Sequence, residues 1–264
     1  MGISKYNDLF SMQHYNDVYT KTPKIVYVDA NLYWYRSQTG NKDYMLANTS
    51  RSPSTIYQTF TDTIKDISTT LTHTKIIILV FDSVSYRPIL KWATCVSRRI
   101  NTTQNYLEFD IAHFLDNMSR LDIRYVVPET SKQLTDAILS CDSEESEGDT
   151  PLFIIYEATT DSDLFIYEHI RHMTNSDYWC SKKPKTITSE DMIREVERAK
   201  VAILSEDTDF LALYPYYKNC CVIKKESGVL VIRNYDIRYD NAIVKRFLKF
   251  NIHIYFHYTT LLFY

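Results

Sequence analysis

Carboxylate side chains recur in this 264-residue chain directly after short runs of apolar residues. Residues 201–213, VAILSEDTDFLAL, place Asp207 and Asp209 two positions apart after such a run. The run predicts a buried parallel strand, because it is short and apolar on both faces. Its carboxyl end would lie at the edge of the sheet where open α/β folds bind their ligands. The two aspartates are therefore candidates for chemistry at that edge.

Three further junctions of the same kind carry acids. Asp29 lies near the end of KIVYVDA, Asp82 follows KIIILVF, and Asp161 and Asp163 follow LFIIY, with Glu157 beside them. The carboxyl ends of parallel strands share one edge of a sheet, so all six aspartates can converge there. Six carboxylates in one place would repel one another, and bound cations remove this cost. Carboxylate oxygens suit Mg²⁺ or Mn²⁺, and two such ions about 4 Å apart can activate water against a phosphodiester.

Each acid also has an ordinary structural explanation. An aspartate directly after a strand is commonly a turn former or a helix N-cap. Asp163 lies where it could cap a helix that starts near Leu164. Glu129, within VVPET, is a rival for the third acidic position, but no second acid accompanies it. The prediction of a metal site therefore depends on four acidic junctions occurring together.

A basic stretch follows the second acidic junction. Arg87, Lys91, Arg98 and Arg99 come within seventeen residues of Asp82, and Lys91 and Arg98 are seven positions apart, which places them on one face of a helix. Such a helix beside an acidic metal site can hold the phosphates that the acids repel. A solvated basic face with no ligand is an equally open reading.

The elements that must position these residues alternate along the chain. Apolar runs predict strands at residues 24–30, 75–81, 123–127, 152–156 and the start of 201–213, and a hairpin at 220–225 and 229–233. Helical spacing predicts helices at residues 55–71, 109–121, 164–173 and 189–200, and a helical turn at 133–139. The remaining stretches predict an arm at 1–23 and loops at 37–54 and 141–150. The alternation predicts an α/β fold with a mostly parallel sheet flanked by helices.

Composition restricts the classes of function. Only 4 glycines and no Gly-rich phosphate loop argue against a nucleotide cofactor. A net charge of -3 means that nucleic-acid binding would need a local basic patch. Five cysteines without a CxxC pair favour a reducing compartment and no zinc site. No secretion signal and no long apolar run are seen, so we expect an intracellular, non-secreted protein without a membrane partner.

The acidic blocks together resemble the flap endonuclease family, also called XPG-type or PIN-like nucleases. The start MGISKYNDLF resembles the family's Met-Gly-Ile terminus, and YVDANLYWY and FDSVSYRPILKWATCVSRR resemble its first two acidic blocks. YEATTDSD resembles the Glu-Ala-Pro-Ser-Glu-Ala-Glu block, and LSEDTDFLAL resembles the Thr-Glu-Asp-x-Asp block. The blocks occur in family order over roughly residues 1–215. The layout is most similar to the divergent branch in poxviruses and other large DNA viruses.

This resemblance implies a PIN-like, flap endonuclease-like fold and a divalent-metal-dependent nuclease with two Mg²⁺ or Mn²⁺ ions. It implies that Asp29, Asp82 and Asp161 or Asp163 hold the first ion. Asp207 and Asp209 would hold the second, with Asp163 bridging. The remaining implied roles are contacts with nucleic acid, by Lys91 and Arg98 at the scissile phosphate, by Tyr35 stacking on a base, and by Gly2 and Arg99 near the substrate.

The implied substrate is branched or flap DNA in viral replication, repair or recombination, in the host cytoplasm rather than the nucleus. RNA is an alternative substrate, because herpesvirus host-shutoff ribonucleases share the fold. We expect a single nuclease domain over residues 1–264, in which 101–150 differs from the family's helical arch. The family's Gly-x-Asp motif and helix–turn–helix do not follow, so a further alternative is a degenerate or truncated, nucleic-acid-binding or structural member.

Overall fold

The structure is a computed structural model that describes residues 10–14, 24–39, 52–71, 74–83, 107–143, 150–175, 201–205, 220–226 and 229–235. The helix predicted at residues 189–200 lies outside these ranges. The chain divides into two compact units, one formed by residues 25–166 and one by residues 1–24 with 167–264. Within the described ranges, no helix combines the length and apolar character needed to cross a membrane.

The described strands and helices alternate over most of the chain. In chain order they are β1 (Phe10–His14), β2 (Ile25–Asp29), α1 (Ala30–Thr39), α2 (Pro53–Thr70), β3 (Ile76–Phe81), α3 (Ile111–Arg120), β4 (Tyr125–Val126), α4 (Ser131–Ser143), β5 (Leu152–Glu157), α5 (Ser162–Asn175), β6 (Val201–Leu204), β7 (Cys220–Glu226) and β8 (Val229–Tyr235).

In the unit of residues 25–166, four strands form an all-parallel arrangement in the order β2-β3-β5-β4. Every residue of β2 and β3 is buried, as expected for parallel strands covered on both faces. In the register, Asp29 lies opposite Val80, and Phe81 lies opposite Glu157. The carboxyl ends of β2, β3 and β5 therefore meet at one edge of the sheet.

Helices cover both faces of these strands. The ring of Phe81 packs against Phe60 of α2, with a centroid distance of 6.1 Å. Tyr156 lies opposite Val80, so it points to the face opposite to Phe81, and its ring contacts Phe165 of α5 at 4.6 Å. The prediction of an α/β fold with a mostly parallel sheet flanked by helices is confirmed, and the arrangement is consistent with a PIN-like fold.

In the second unit, β6 pairs in parallel with β7, and β7 and β8 form the predicted antiparallel hairpin. The Ser205 N–H extends the pairing of β6 by donating to the carbonyl oxygen of Ile223 at 3.1 Å. β1 pairs antiparallel with β8, with Met12 opposite Arg233. Sequence patterns did not predict β1, because a five-residue strand is defined by its partner more than by its own composition.

Two helices differ from the sequence predictions. α1 includes residues 37–39, which were predicted as a loop, and it buries Tyr33, Trp34 and Ser37 while leaving Tyr35 exposed. The buried face of α1 therefore includes a polar residue. Ser37 can be buried because its hydroxyl donates to the carbonyl oxygen of Tyr33 at 2.9 Å. The helical segment predicted at residues 133–139 is confirmed but is longer than predicted, since α4 has 13 residues.

The start of α4 resembles a capping box. The hydroxyl of the N-cap residue Thr130 accepts the Gln133 N–H at 3.2 Å, and the Gln133 side chain reaches back one residue further than in the usual motif, accepting the Glu129 N–H at 2.8 Å. The Thr-x-x-Gln spacing was therefore available in the sequence as a helix start. Glu129, the rival for the third acidic position, is exposed and lies before α4.

His169, a buried residue of α5, makes stability depend on pH. Burial, and to a smaller extent the charge of His172, lowers the pKa of His169 from 6.5 to about 4. Because the pKa is lower in the folded state, its contribution is complete above pH 6.5 and is lost as the pH falls towards 4.

We expect the change from pH 7 to pH 5 to reduce the free energy of unfolding by about 2 kcal/mol through this residue. Urea unfolding at both pH values measures the loss. The His169→Gln variant should show a flatter dependence, and an unchanged dependence in that variant would contradict the assignment.

Candidate functional site

Three of the four acidic junctions meet at the start of α5. Asp29 ends β2, Asp82 follows β3, and Ser162 begins α5. The Ser162 N–H donates to Oδ1 of Asp82 at 2.9 Å, and the Ser162 hydroxyl makes a long bond to Oδ1 of Asp29 at 3.5 Å. Carboxylates from two neighbouring strands therefore contact one residue that directly follows Asp161.

Continued pairing beyond β3 and β5 places Asp82 there. The Ala158 N–H donates to the carbonyl oxygen of Phe81 at 2.9 Å, and the Ser83 N–H donates to the carbonyl oxygen of Thr160 at 3.1 Å. These bonds hold the chain after β5 against the chain after β3. Asp82, between the two bonded residues Phe81 and Ser83, is thereby kept beside the first residue of α5.

Asp161 is the N-cap of α5. Its carbonyl oxygen accepts the Phe165 N–H at 2.9 Å, and its Oδ1 accepts the Asp163 N–H at 3.2 Å. The suggestion that Asp163 caps this helix was wrong, because α5 begins at Ser162 and Asp163 lies in its first turn. Asp161 and Asp82 thus each accept one of the first N–H groups of α5, which have no partner within the helix.

The electrostatic environment favours negative charge at this point. The N-terminus of a helix carries a partial positive charge, which stabilises nearby carboxylates. Asp29 is only 9% exposed, and a buried carboxylate needs such partners because leaving water is costly. The arrangement gathers carboxylates at the sheet edge, where the Ser162 N–H bonds Asp82 and the Ser162 hydroxyl makes only a long contact with Asp29.

Of the other predicted site residues, the structure describes only Tyr35. Tyr35 lies on α1 and is 37% exposed. The remaining predicted residues lie outside the described ranges, and their roles stay predictions: Gly2, Lys91, Arg98, Arg99, Asp207 and Asp209.

The described aspartates have the ligand atoms that a divalent cation prefers, but too few of them lie together to hold one. Carboxylate oxygens are the ligands that Mg²⁺ and Mn²⁺ prefer. Among the residues that the structure describes, however, no group of three or more His, Cys, Asp or Glu side chains could hold one ion. A complete site would need ligands in addition to these described acids.

Sequence reasoning missed two polar residues at this edge. It gave no role to Ser162, although its position between Asp161 and Asp163 was a signal. Asn31, two residues after Asp29, has a buried amide nitrogen with no hydrogen-bond partner in the described part of the chain. A polar side chain so close to an acid at a strand end was the available signal for this residue.

Comparison with known proteins adds no relative. No protein-family model matches the chain, and no curated protein matches it. Membership of the flap endonuclease family therefore stays a prediction from the acidic blocks.

The bond between Asp82 and Ser162 predicts a difference between two variants. Asp82→Ala removes the acceptor for the first N–H of α5, whereas Asp82→Asn keeps an oxygen in its place. We expect Asp82→Ala to be less stable than Asp82→Asn by about 1 kcal/mol. Urea unfolding at pH 7 measures both variants, and equal stabilities would show that the carboxylate does not cap α5.

Proposed function

We propose that the protein is a divalent-metal-dependent nuclease that hydrolyses phosphodiester bonds in branched or flap DNA. The observation that supports this most is the contact of Asp29 and Asp82 with Ser162 at the N-terminus of α5. Acids far apart in the sequence are close in the fold, in the order of blocks that the family resemblance implies. An isolated turn former or helix cap at each junction would not require this convergence.

The proposed ions would be held by Asp29 and Asp82 with Asp207 and Asp209, since the described acids Asp161 and Asp163 complete no group of three with Asp29 and Asp82. When bound, such ions activate water and neutralise charge on the phosphate. The contribution of the described residues would be positional: the Ser162 N–H holds one oxygen of Asp82 at 2.9 Å, and its hydroxyl lies 3.5 Å from an oxygen of Asp29. Fixed ligands matter because a metal site loses activity when its ligands are loosely held.

Substrate binding would come from the basic stretch after Asp82. Lys91 and Arg98 would contact the scissile phosphate, and Arg99 and Gly2 would lie near the substrate. Tyr35, exposed on α1, would stack on a base. The resemblance to the viral branch would place this activity in replication, repair or recombination of viral DNA in the host cytoplasm.

A second candidate is a factor that binds nucleic acid without cleaving it. The observation that favours it is that Asp82 and Asp161 each accept an N–H of α5, which explains both acids without a metal ion. In this reading, the acidic edge is structural and only the basic stretch contacts nucleic acid.

Cleavage of a labelled flap DNA in Mg²⁺ or Mn²⁺, compared with EDTA, tests the nuclease. We expect Asp29→Asn and Asp82→Asn to lower the rate about 100-fold or more, because each removes a charged ligand. Asp136→Asn, an exposed aspartate of α4, is the matched control and should cleave like the unchanged protein. Equal rates in all variants would remove the proposed site, and faster cleavage of the same flap in RNA would identify an endoribonuclease.

Calorimetric titration with Mn²⁺ separates the two candidates. The nuclease should bind Mn²⁺, and Asp29→Asn should weaken that binding about 10-fold or more. A protein that binds the flap DNA, cleaves nothing and shows no Mn²⁺ binding would be the non-catalytic factor.

A further inference from the structure

Ser162 contacts two acids of the candidate site with two different groups. Its N–H donates to Oδ1 of Asp82 at 2.9 Å, and its hydroxyl lies 3.5 Å from Oδ1 of Asp29. Asp29 ends β2 and Asp82 follows β3, so one residue of α5 joins the ends of two neighbouring strands. The two contacts use different atoms of Ser162, which allows their effects to be measured separately.

The start of α5 is held in place by contacts that involve neither of these acids. The ring of Phe165 packs on Tyr156 of β5, with centroids 4.6 Å apart. The Phe165 N–H donates to the carbonyl oxygen of Asp161 at 2.9 Å, which closes the first turn. A backbone N–H in a helix cannot turn, whereas a carboxylate can rotate about its side-chain bonds. The helix therefore sets the orientation of the Asp82 carboxylate through the Ser162 N–H.

The hydroxyl of Ser162 is not explained by burial alone. Ser162 is only 2% exposed, and a buried hydroxyl without a good hydrogen bond lowers stability, so an alanine would fit this position at least as well. Its 3.5 Å contact with Asp29 is longer than a strong bond between a hydroxyl and a carboxylate, which measures about 2.5–2.7 Å. A movement of the Asp29 carboxylate by about 1 Å would complete that bond. The hydroxyl is thus placed to hold Asp29 in one orientation.

The burial of Ser162 also separates it from any substrate. A side chain with 2% exposure offers almost no surface for DNA to contact. An effect of Ser162 on a reaction at this edge must therefore pass through Asp29 and Asp82, the carboxylates that it contacts. Residues that orient the ligands of a metal site are typically worth about 10- to 100-fold in affinity or activity.

We propose that Ser162 is a positioning residue that couples Asp29 and Asp82, with its N–H orienting one carboxylate and its hydroxyl the other. This inference rests on the proposed function and deepens it, because it makes the first residue of α5 a part of the nuclease site. Removal of the two contacts lets the carboxylates rotate but leaves the contacts with substrate in place. We therefore expect kcat to fall and KM to change little.

Cleavage kinetics on labelled flap DNA in Mg²⁺ test the role in the reaction. Ser162→Ala removes the hydroxyl, and Ser162→Pro also removes the N–H, although proline suits the first position of a helix. We expect kcat to fall about 5-fold in Ser162→Ala and about 10- to 100-fold in Ser162→Pro, with KM within about twofold in both. The matched control is Ser37→Ala, because Ser37 is also 2% exposed but its hydroxyl donates to Tyr33 in its own helix. Its kcat should stay unchanged.

Several results of this assay would overturn the positioning role while leaving the nuclease intact. One is a kcat within about twofold of the unchanged protein in both Ser162 variants, and another is a change confined to KM. An equal loss of kcat in Ser37→Ala would show that any buried serine has this effect. If Ser162→Pro does not fold, Ser162→Ala decides alone by the same limit.

A thermodynamic cycle tests the coupling without any cleavage. Urea unfolding of Asp29→Asn, Asp82→Asn and the double variant gives the factor by which their effects on the unfolding equilibrium depend on each other. We expect this factor to change by about threefold when the cycle is repeated with Ser162→Ala, whereas the direct repulsion of the two carboxylates is common to both cycles. An unchanged factor would overturn the proposal. If the unchanged protein cleaves no flap DNA, the nuclease is contradicted, and this cycle still decides whether Ser162 couples the two acids.

Discussion

The parallel register between β3 and β5 is the constraint on which the acidic edge depends. It aligns Phe81 with Glu157, and the bonds from Ala158 and Ser83 carry the pairing into the loops beyond both strands. The chain after β5 then has only four residues before α5 begins, so the first N–H of that helix arrives at the Asp82 carboxylate. A shift of one residue would turn the buried apolar residues of either strand to the opposite face. Core packing and the geometry of the acidic edge are therefore set by the same register.

The parts of the fold that were predictable from the sequence are those with strong local patterns. The buried runs at β2, β3, β5 and β6 are short, apolar and followed by acids, and a parallel sheet follows from their alternation with helices. β1 and α1 were not predictable in this way. β1 exists through its pairing with β8, and α1 places three aromatic residues in succession while burying Ser37. In both, tertiary contacts override the local pattern.

The candidate site was predictable in outline but not in its bonding. The position of Asp29, Asp82 and Asp161 at strand ends was enough to infer that they share an edge. That Asp161, and not Asp163, caps α5 depends on where the helix begins, which sequence patterns define only to within a few residues. The role of Ser162 arises because it is the first residue of α5 and meets two strands at once. The Gln38 side chain bonds the N–H and the carbonyl oxygen of Leu107, 69 residues away, and no local sequence pattern predicts such a contact.

The Ser162 N–H and any cation at this edge would share the oxygens of one carboxylate. Oδ1 of Asp82 already accepts that N–H at 2.9 Å. A ligand that draws this oxygen towards itself weakens the first turn of α5, and a ligand that leaves it in place does not. By thermodynamic linkage, the order of that turn and the affinity of the edge for its ligand must then change together and reciprocally. If the proposed function holds, the order of the first turn of α5 would therefore report how much of the edge formed by β2 and β3 is occupied by ligand.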